Sequence, residues 1–137
     1  MFDFLNITKA LTDENRVRIL MALRRRELCV CQTTAFLDLA PSTTSKHLSV
    51  LRQARLIEGK KRGKWVYYRL PGEGCFAPAR DALAFLERHL ACHPLILRDE
   101  ERLLKLMERE DLFCAGMGED GLHSIGVHLL EESDEDK

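Results

Sequence analysis

A chain of 137 residues, 45% of them apolar, is long enough for one compact domain with modest extensions, and this composition excludes wholesale disorder. No apolar run approaches the roughly 18 to 20 residues that a membrane-spanning helix needs. The net charge of −1 conceals a strong asymmetry. Residues 42–69 carry eight basic groups against the single Glu58, a net +7, whereas the segment from Glu119 onward carries a net −6.

The N-terminal Phe2 to Leu11 places Phe4, Ile7 and Leu11 on one face of an amphipathic helix. Met1-Phe2-Asp3-Phe4 lacks the basic region and apolar core of a signal peptide, so a soluble, cytoplasmic protein is expected. Asp13 is a candidate N-cap for a second helix, in which Ile19, Leu20 and Leu23 give helical spacing before Arg24-Arg25-Arg26-Glu27 closes it. A third helix is predicted from near Cys31 to Leu39, and Pro41 or Ser42 opens a fourth that runs to about Ala54. Thr44, Leu48 and Leu51 fall at i, i+4 and i+7 and should face the core. Ser42, Thr43, Ser45, Lys46, Ser49 and Arg52 then form an exposed polar face. Two short helices joined by a tight turn, the second with such a face, match a helix-turn-helix.

Beyond Leu56 the period changes. Leu56-Ile57-Glu58 and Lys64 to Leu70 read as two strands, the second alternating Val66, Tyr68 and Leu70 with Trp65, Tyr67 and Arg69. Lys61-Arg62-Gly63-Lys64 is the expected turn, with Gly63 suited to positive φ, and the hairpin reads as a wing. Pro71 to Gly74 is a linker. Pro78 to about His93 forms a long amphipathic helix, Pro94 interrupts it, and Leu95 to Leu112 forms another. A short apolar patch from Ile125 to Leu130 precedes the acidic end. Residues 1–93 are expected to form the DNA-binding and dimerisation domain, and 94–137 a helical extension with a mobile acidic tail.

The basic stretch points to double-stranded DNA. Small hydrogen-bonding residues at the start of the fourth helix suit close approach to base edges, which assigns Ser42, Thr43, Ser45 and Lys46 to the groove. Arg52 and the wing residues Lys61, Arg62 and Lys64 are placed as phosphate contacts. His47 suits either the helix–helix interface or the groove, the first being the stronger reading.

Five cysteines are present: Cys29, Cys31, Cys75, Cys92 and Cys114. Their odd number and the expected cytoplasmic setting argue for reduced thiols rather than a disulfide framework. Residues i and i+2 of a helix point about 200° apart, so Cys29 and Cys31 share one ion only where the chain is extended or the first helical turn is unwound. There is no Cys-x-x-Cys, phosphate loop or nucleophile–base pairing in the chain to suggest an enzyme.

Two blocks carry a family resemblance. Leu11-Thr12-Asp13-Glu14-Asn15-Arg16-Val17-Arg18-Ile19-Leu20, and the stretch from Glu27 to Leu70, resemble the ArsR/SmtB family of winged helix-turn-helix metal-sensing repressors. The most specific pieces are Glu27-Leu28-Cys29-Val30-Cys31, Ser45-Lys46-His47-Leu48-Ser49-Val50-Leu51-Arg52 and Gly63-Lys64-Trp65-Val66-Tyr67-Tyr68-Arg69-Leu70. The resemblance implies a mainly α fold with a small β-hairpin, dimeric through its N- and C-terminal helices. It further implies a homodimeric repressor that reads an inverted-repeat operator and needs no obligatory cofactor.

In the arsenic repressors of that family the Cys-Val-Cys begins a three-cysteine site whose third member lies three residues on, where this chain has Thr34. Trivalent arsenic or antimony is the inducer so implied, with Cys29 and Cys31 as ligands. Cys114 ranks ahead of Cys75 and Cys92 as the third. Cadmium, lead or zinc, a redox signal, or a non-sensing dimer of the same fold are the alternatives. His89, Cys92 and His93 cluster but do not match the family's second site, which uses Asp and His.

Overall fold

The computed structural model describes residues 1–109. Cys114, the Ile125–Leu130 patch and the acidic end lie outside the described residues. In chain order the elements are α1 (Phe2–Ala10), α2 (Glu14–Leu23), β1 (Leu28–Cys29), α3 (Val30–Leu37), α4 (Pro41–Gln53), β2 (Glu58–Arg62), β3 (Trp65–Arg69), α5 (Ala77–Leu90) and α6 (Pro94–Glu108). This mainly helical arrangement with a small sheet is a winged helix-turn-helix. None of the described helices is long and apolar enough to cross a membrane.

Local chemistry explains most boundaries. Asp13 caps α2 by accepting from the Asn15 and Arg16 amides at 2.8 and 3.3 Å. Asp38 ends α3 in the left-handed region (φ 56°), which Asp tolerates better than most residues, and the chain turns there into Pro41 at the start of α4. Thr44, Leu48 and Leu51 are fully buried, as their spacing predicts, and lock α4 onto the core.

The sheet differs from the expected hairpin in two ways. Leu56 and Ile57 are buried but lie outside the ladder, which begins at Glu58 opposite Arg69 and continues through Arg62. The turn is therefore only Gly63-Lys64, with Gly63 at φ +60°, and Lys61 and Arg62 belong to the strand. β1 is a third strand that two residues were too few to announce. It pairs antiparallel with β3, matching Leu28 with Tyr68 and Cys29 with Tyr67, so β3 is central. One face of the sheet joins the core through Leu28, Val66 and Tyr68. A Cβ at Gly59 would meet Tyr68 and Val66 at 3.4 Å, an ordinary contact on that same face.

α5 stops at Leu90, short of His93, because His93 instead caps α6, its Nδ1 accepting from the Leu95 amide at 3.1 Å. α6 packs on α2 and α3 and buries Ile96 and Leu103 in the common core. Arg18 of α2 meets the Asp99 carboxylate with two parallel hydrogen bonds, Nε and Nη2 each at 2.8 Å, and Arg26 pairs with Glu100 alongside. The Arg18 and Asp99 side chains retain 16% and 8% of their exposure, so losing one charge strands the other in a poorly solvated place.

Asp99→Ala should therefore lower stability by about 3 kcal/mol, near the lower end for a broken buried pair because Arg18 keeps some solvent. Urea denaturation checks this through its midpoint. A loss under about 1 kcal/mol would show that Arg18 finds water freely and that the pair does not hold α6.

Candidate functional site

The polar face of α4 stands clear of the core. Ser42, Thr43 and Lys46 are exposed, Ser45 and Arg52 half-exposed, and Lys61, Arg62 and Lys64 exposed on the hairpin. The residues assigned to base edges thus occupy the first two turns of α4, and those assigned to phosphates its last turn and the hairpin end. His47 is turned the other way, its side chain only 12% exposed between Arg16 (3.3 Å) and Asp13 (4.0 Å) of α2. Burial is the main influence that pushes its pKa below the ordinary 6.5, partly countered by Asp13. A neutral imidazole bracing α4 against α2 is the structural role, not a phosphate-binding cation.

The cysteine pair sits at the joint between α3 and the sheet. Cys29 is extended (φ −85°, ψ 171°) and is the N-cap of α3, while Cys31 lies in its first turn. That is the geometry in which i and i+2 can converge, and the two Sγ atoms meet there, both residues buried and neither in a disulfide. Gln32 completes a capping box by accepting the Cys29 amide at 3.0 Å, and Thr33 donates to the Cys29 carbonyl at 2.9 Å. The hydrogen bond from Cys31 holds the Cys29 thiol below its ordinary value. Backbone amides at the helix start assist, and burial opposes.

The sulfurs are not part of the main core. They form a separate small cluster under Trp65 and Tyr67. Sequence reasoning missed this neighbourhood because it needs the β1–β3 register. The available signal was the outward alternation of Trp65 and Tyr67, which leaves two aromatic rings needing cover. Glu27, also overlooked, pairs with Arg62 at 2.6 Å and Arg69 at 3.7 Å.

The remaining sequence candidates lie elsewhere. Cys75 is half-buried and Cys92 exposed, His89 lies tilted against the Phe85 ring, and His93 caps α6. Among the described residues, no three His, Cys, Asp or Glu side chains gather as a metal site. Cys114, the favoured third ligand, falls outside them.

A helix-turn-helix followed by a basic hairpin defines a winged-helix regulator, here with a convergent thiol pair at the joint between α3 and the sheet. Residues 13–59 match the bacterial regulatory proteins of the arsR family. The arsenic resistance transcriptional regulator ArsR1 of Pseudomonas putida is 43% identical over 68 residues, covering 49% of this chain and 53% of that protein. Reduced HlyU from Vibrio cholerae is 30% identical with a TM-score of 0.55, covering 66% of this chain and 90% of that one. The homodimeric winged helix-turn-helix DNA-binding domain Mb0332 from Mycobacterium bovis is 27% identical with a TM-score of 0.52, covering 64% and 85%. The chain belongs to the ArsR family of bacterial regulatory proteins. It spans about half the length of the curated relatives it matches.

The lowered Cys29 pKa has a consequence for stability in the reduced, metal-free protein. An acid whose folded pKa is depressed releases its proton on folding, so its contribution is lost as pH falls through the folded pKa. It is fully present above the unfolded value, 9.0 for this thiol. Unfolding free energy should rise with pH across that interval, and Cys31→Ala should flatten the rise by removing the main cause of the shift. An undiminished rise in the variant would assign the shift to another group.

Proposed function

We propose that this protein is a cytoplasmic, homodimeric transcriptional repressor that binds an inverted-repeat operator and is released by trivalent arsenic or antimony. The observation that carries the reading is the convergence of Cys29 and Cys31 at the N-terminus of α3, the helix that turns directly into α4. Ser42, Thr43, Ser45 and Lys46 read base edges, and Arg52, Lys61, Arg62 and Lys64 hold phosphates. The +7 charge of residues 42–69 supports this, since each neutralised phosphate releases counterion.

Each Cys thiol that reacts with arsenous acid forms one As–S bond, breaks one As–O bond and releases one water, with no change of oxidation state. Cys29 and Cys31 supply two sulfurs and Cys114 the third. The lowered Cys29 pKa favours the thiolate, which is the reacting form. An ion there alters the first turn of α3 and so the seating of α4 on DNA.

Dimerisation is supported by an uncovered apolar face. Phe2, Phe4 and Leu5 of α1 and Phe85 of α5 are all more than half exposed, and α1 and α5 pack side by side. A second copy covers this face by two-fold symmetry, placing two α4 helices in successive major grooves.

Operator affinity with and without arsenite tests the reading. Wild type should bind a duplex that it selects from a random library and release it with arsenite. Cys29→Ser and Cys31→Ser should bind the duplex within about threefold of wild type and resist release, because Ser keeps the size but not the soft ligand. Release of both variants at the wild-type arsenite concentration would remove the pair from the mechanism.

A further inference from the structure

Antiparallel pairing puts directly opposed residues on one face of a sheet. Cys29 therefore shares its face with Tyr67, and across β3 with Lys60. Trp65, two residues from Tyr67, shares that face with Arg62. This is the outer face, opposite Leu28, Val66 and Tyr68. The thiol pair and the basic hairpin thus occupy the same side of the same three strands.

Contacts connect them. Trp65 and Tyr67 pack on the two sulfurs. The Arg62 guanidinium carbon lies 5.5 Å from the centre of the Tyr67 ring, and the Lys64 Nζ lies 5.8 Å from that of Trp65. Glu27, two residues before Cys29, holds Arg62 at 2.6 Å. Arg62 is therefore gripped by a ring that packs on the cysteine pair and by a carboxylate that leads into the strand of Cys29.

An inducer atom bonded to both sulfurs, with the group that completes its shell, needs room in the small cluster where Trp65 and Tyr67 pack on the pair, so the rings must yield. We propose that Tyr67 and Glu27 are coupling residues that carry this displacement to Arg62, so that inducer release acts through the wing as well as through α3. The proposal rests on the reading of the pair as the inducer site. The ring shifts as the inducer atom enters, the carboxylate moves with β1, and Arg62 follows both away from its phosphate.

The experiment uses the full chain, sodium arsenite and a fluorescein-labelled duplex selected by the protein. Trp65 is the only tryptophan, so its fluorescence reports arsenite binding separately from DNA release. The readout is the ratio of DNA dissociation constants with and without arsenite. Wild type and Tyr67→Phe should show a ratio of at least about tenfold. Tyr67→Leu and Glu27→Ala should bind arsenite within about threefold of wild type while the ratio falls to about threefold or less. Variants that bind arsenite normally and still release like wild type would overturn the coupling and leave the inducer site standing. If Tyr67→Leu loses arsenite binding, Glu27→Ala decides by the same criterion. A wild type that binds arsenite but keeps its DNA would sink both the coupling and the functional reading.

Discussion

Two backbone facts about Cys29 organise the chemistry of this chain: it pairs with Tyr67 in the sheet, and it caps α3. As a strand residue it belongs to the wing. As an N-cap it belongs to the helix-turn-helix. The extended conformation required by both duties is also the one that lets its sulfur meet that of Cys31, since two residues of a regular helix two apart face opposite ways. The proposed inducer chemistry therefore needs no dedicated pocket. It uses the hinge between the two elements proposed to touch DNA, and an occupant of that hinge cannot be accommodated without consequence for one or both.

The rest of the fold keeps this hinge defined. α2 and α6 are joined by the Arg18–Asp99 and Arg26–Glu100 pairs, and α6 closes over α2 and α3 with Ile96 and Leu103. Leu28, next to Cys29, is fully buried with Tyr68, so β1 is fixed on its inner side while its outer side carries the thiol. The core sets where Cys29 sits, and Cys29, Cys31, Trp65 and Tyr67 form a small cluster apart from it. The sheet's outer charges, Glu27, Glu58, Arg62 and Arg69, are partly exposed, so their pairs are weak individually.

Much of this was legible in the residues themselves. The spacing of Thr44, Leu48 and Leu51 located the buried side of α4 and hence its polar face. Asp13 announced α2, and the alternation of β3 was clear. What required coordinates was anything depending on register. A two-residue strand carries no periodic signal, so β1 was invisible and with it the placement of Cys29 opposite Tyr67. Leu56 and Ile57 looked like a strand because burial alone makes an apolar pair, whether or not it enters a ladder. The docking of α6 was hidden because Arg18 and Asp99 are 81 positions apart, and charge complementarity at that distance is not readable from a single chain.

Amide hydrogen exchange on the free and arsenite-loaded protein measures the shared hinge most directly. If Cys29 joins the wing to α3, arsenite should change protection at two places together, the first turn of α3 from Val30 to Thr33 and the strand from Trp65 to Arg69, with α1 and α5 unaltered. Changes confined to α3, with β3 protected as before, would contradict the joint and leave the wing a bystander.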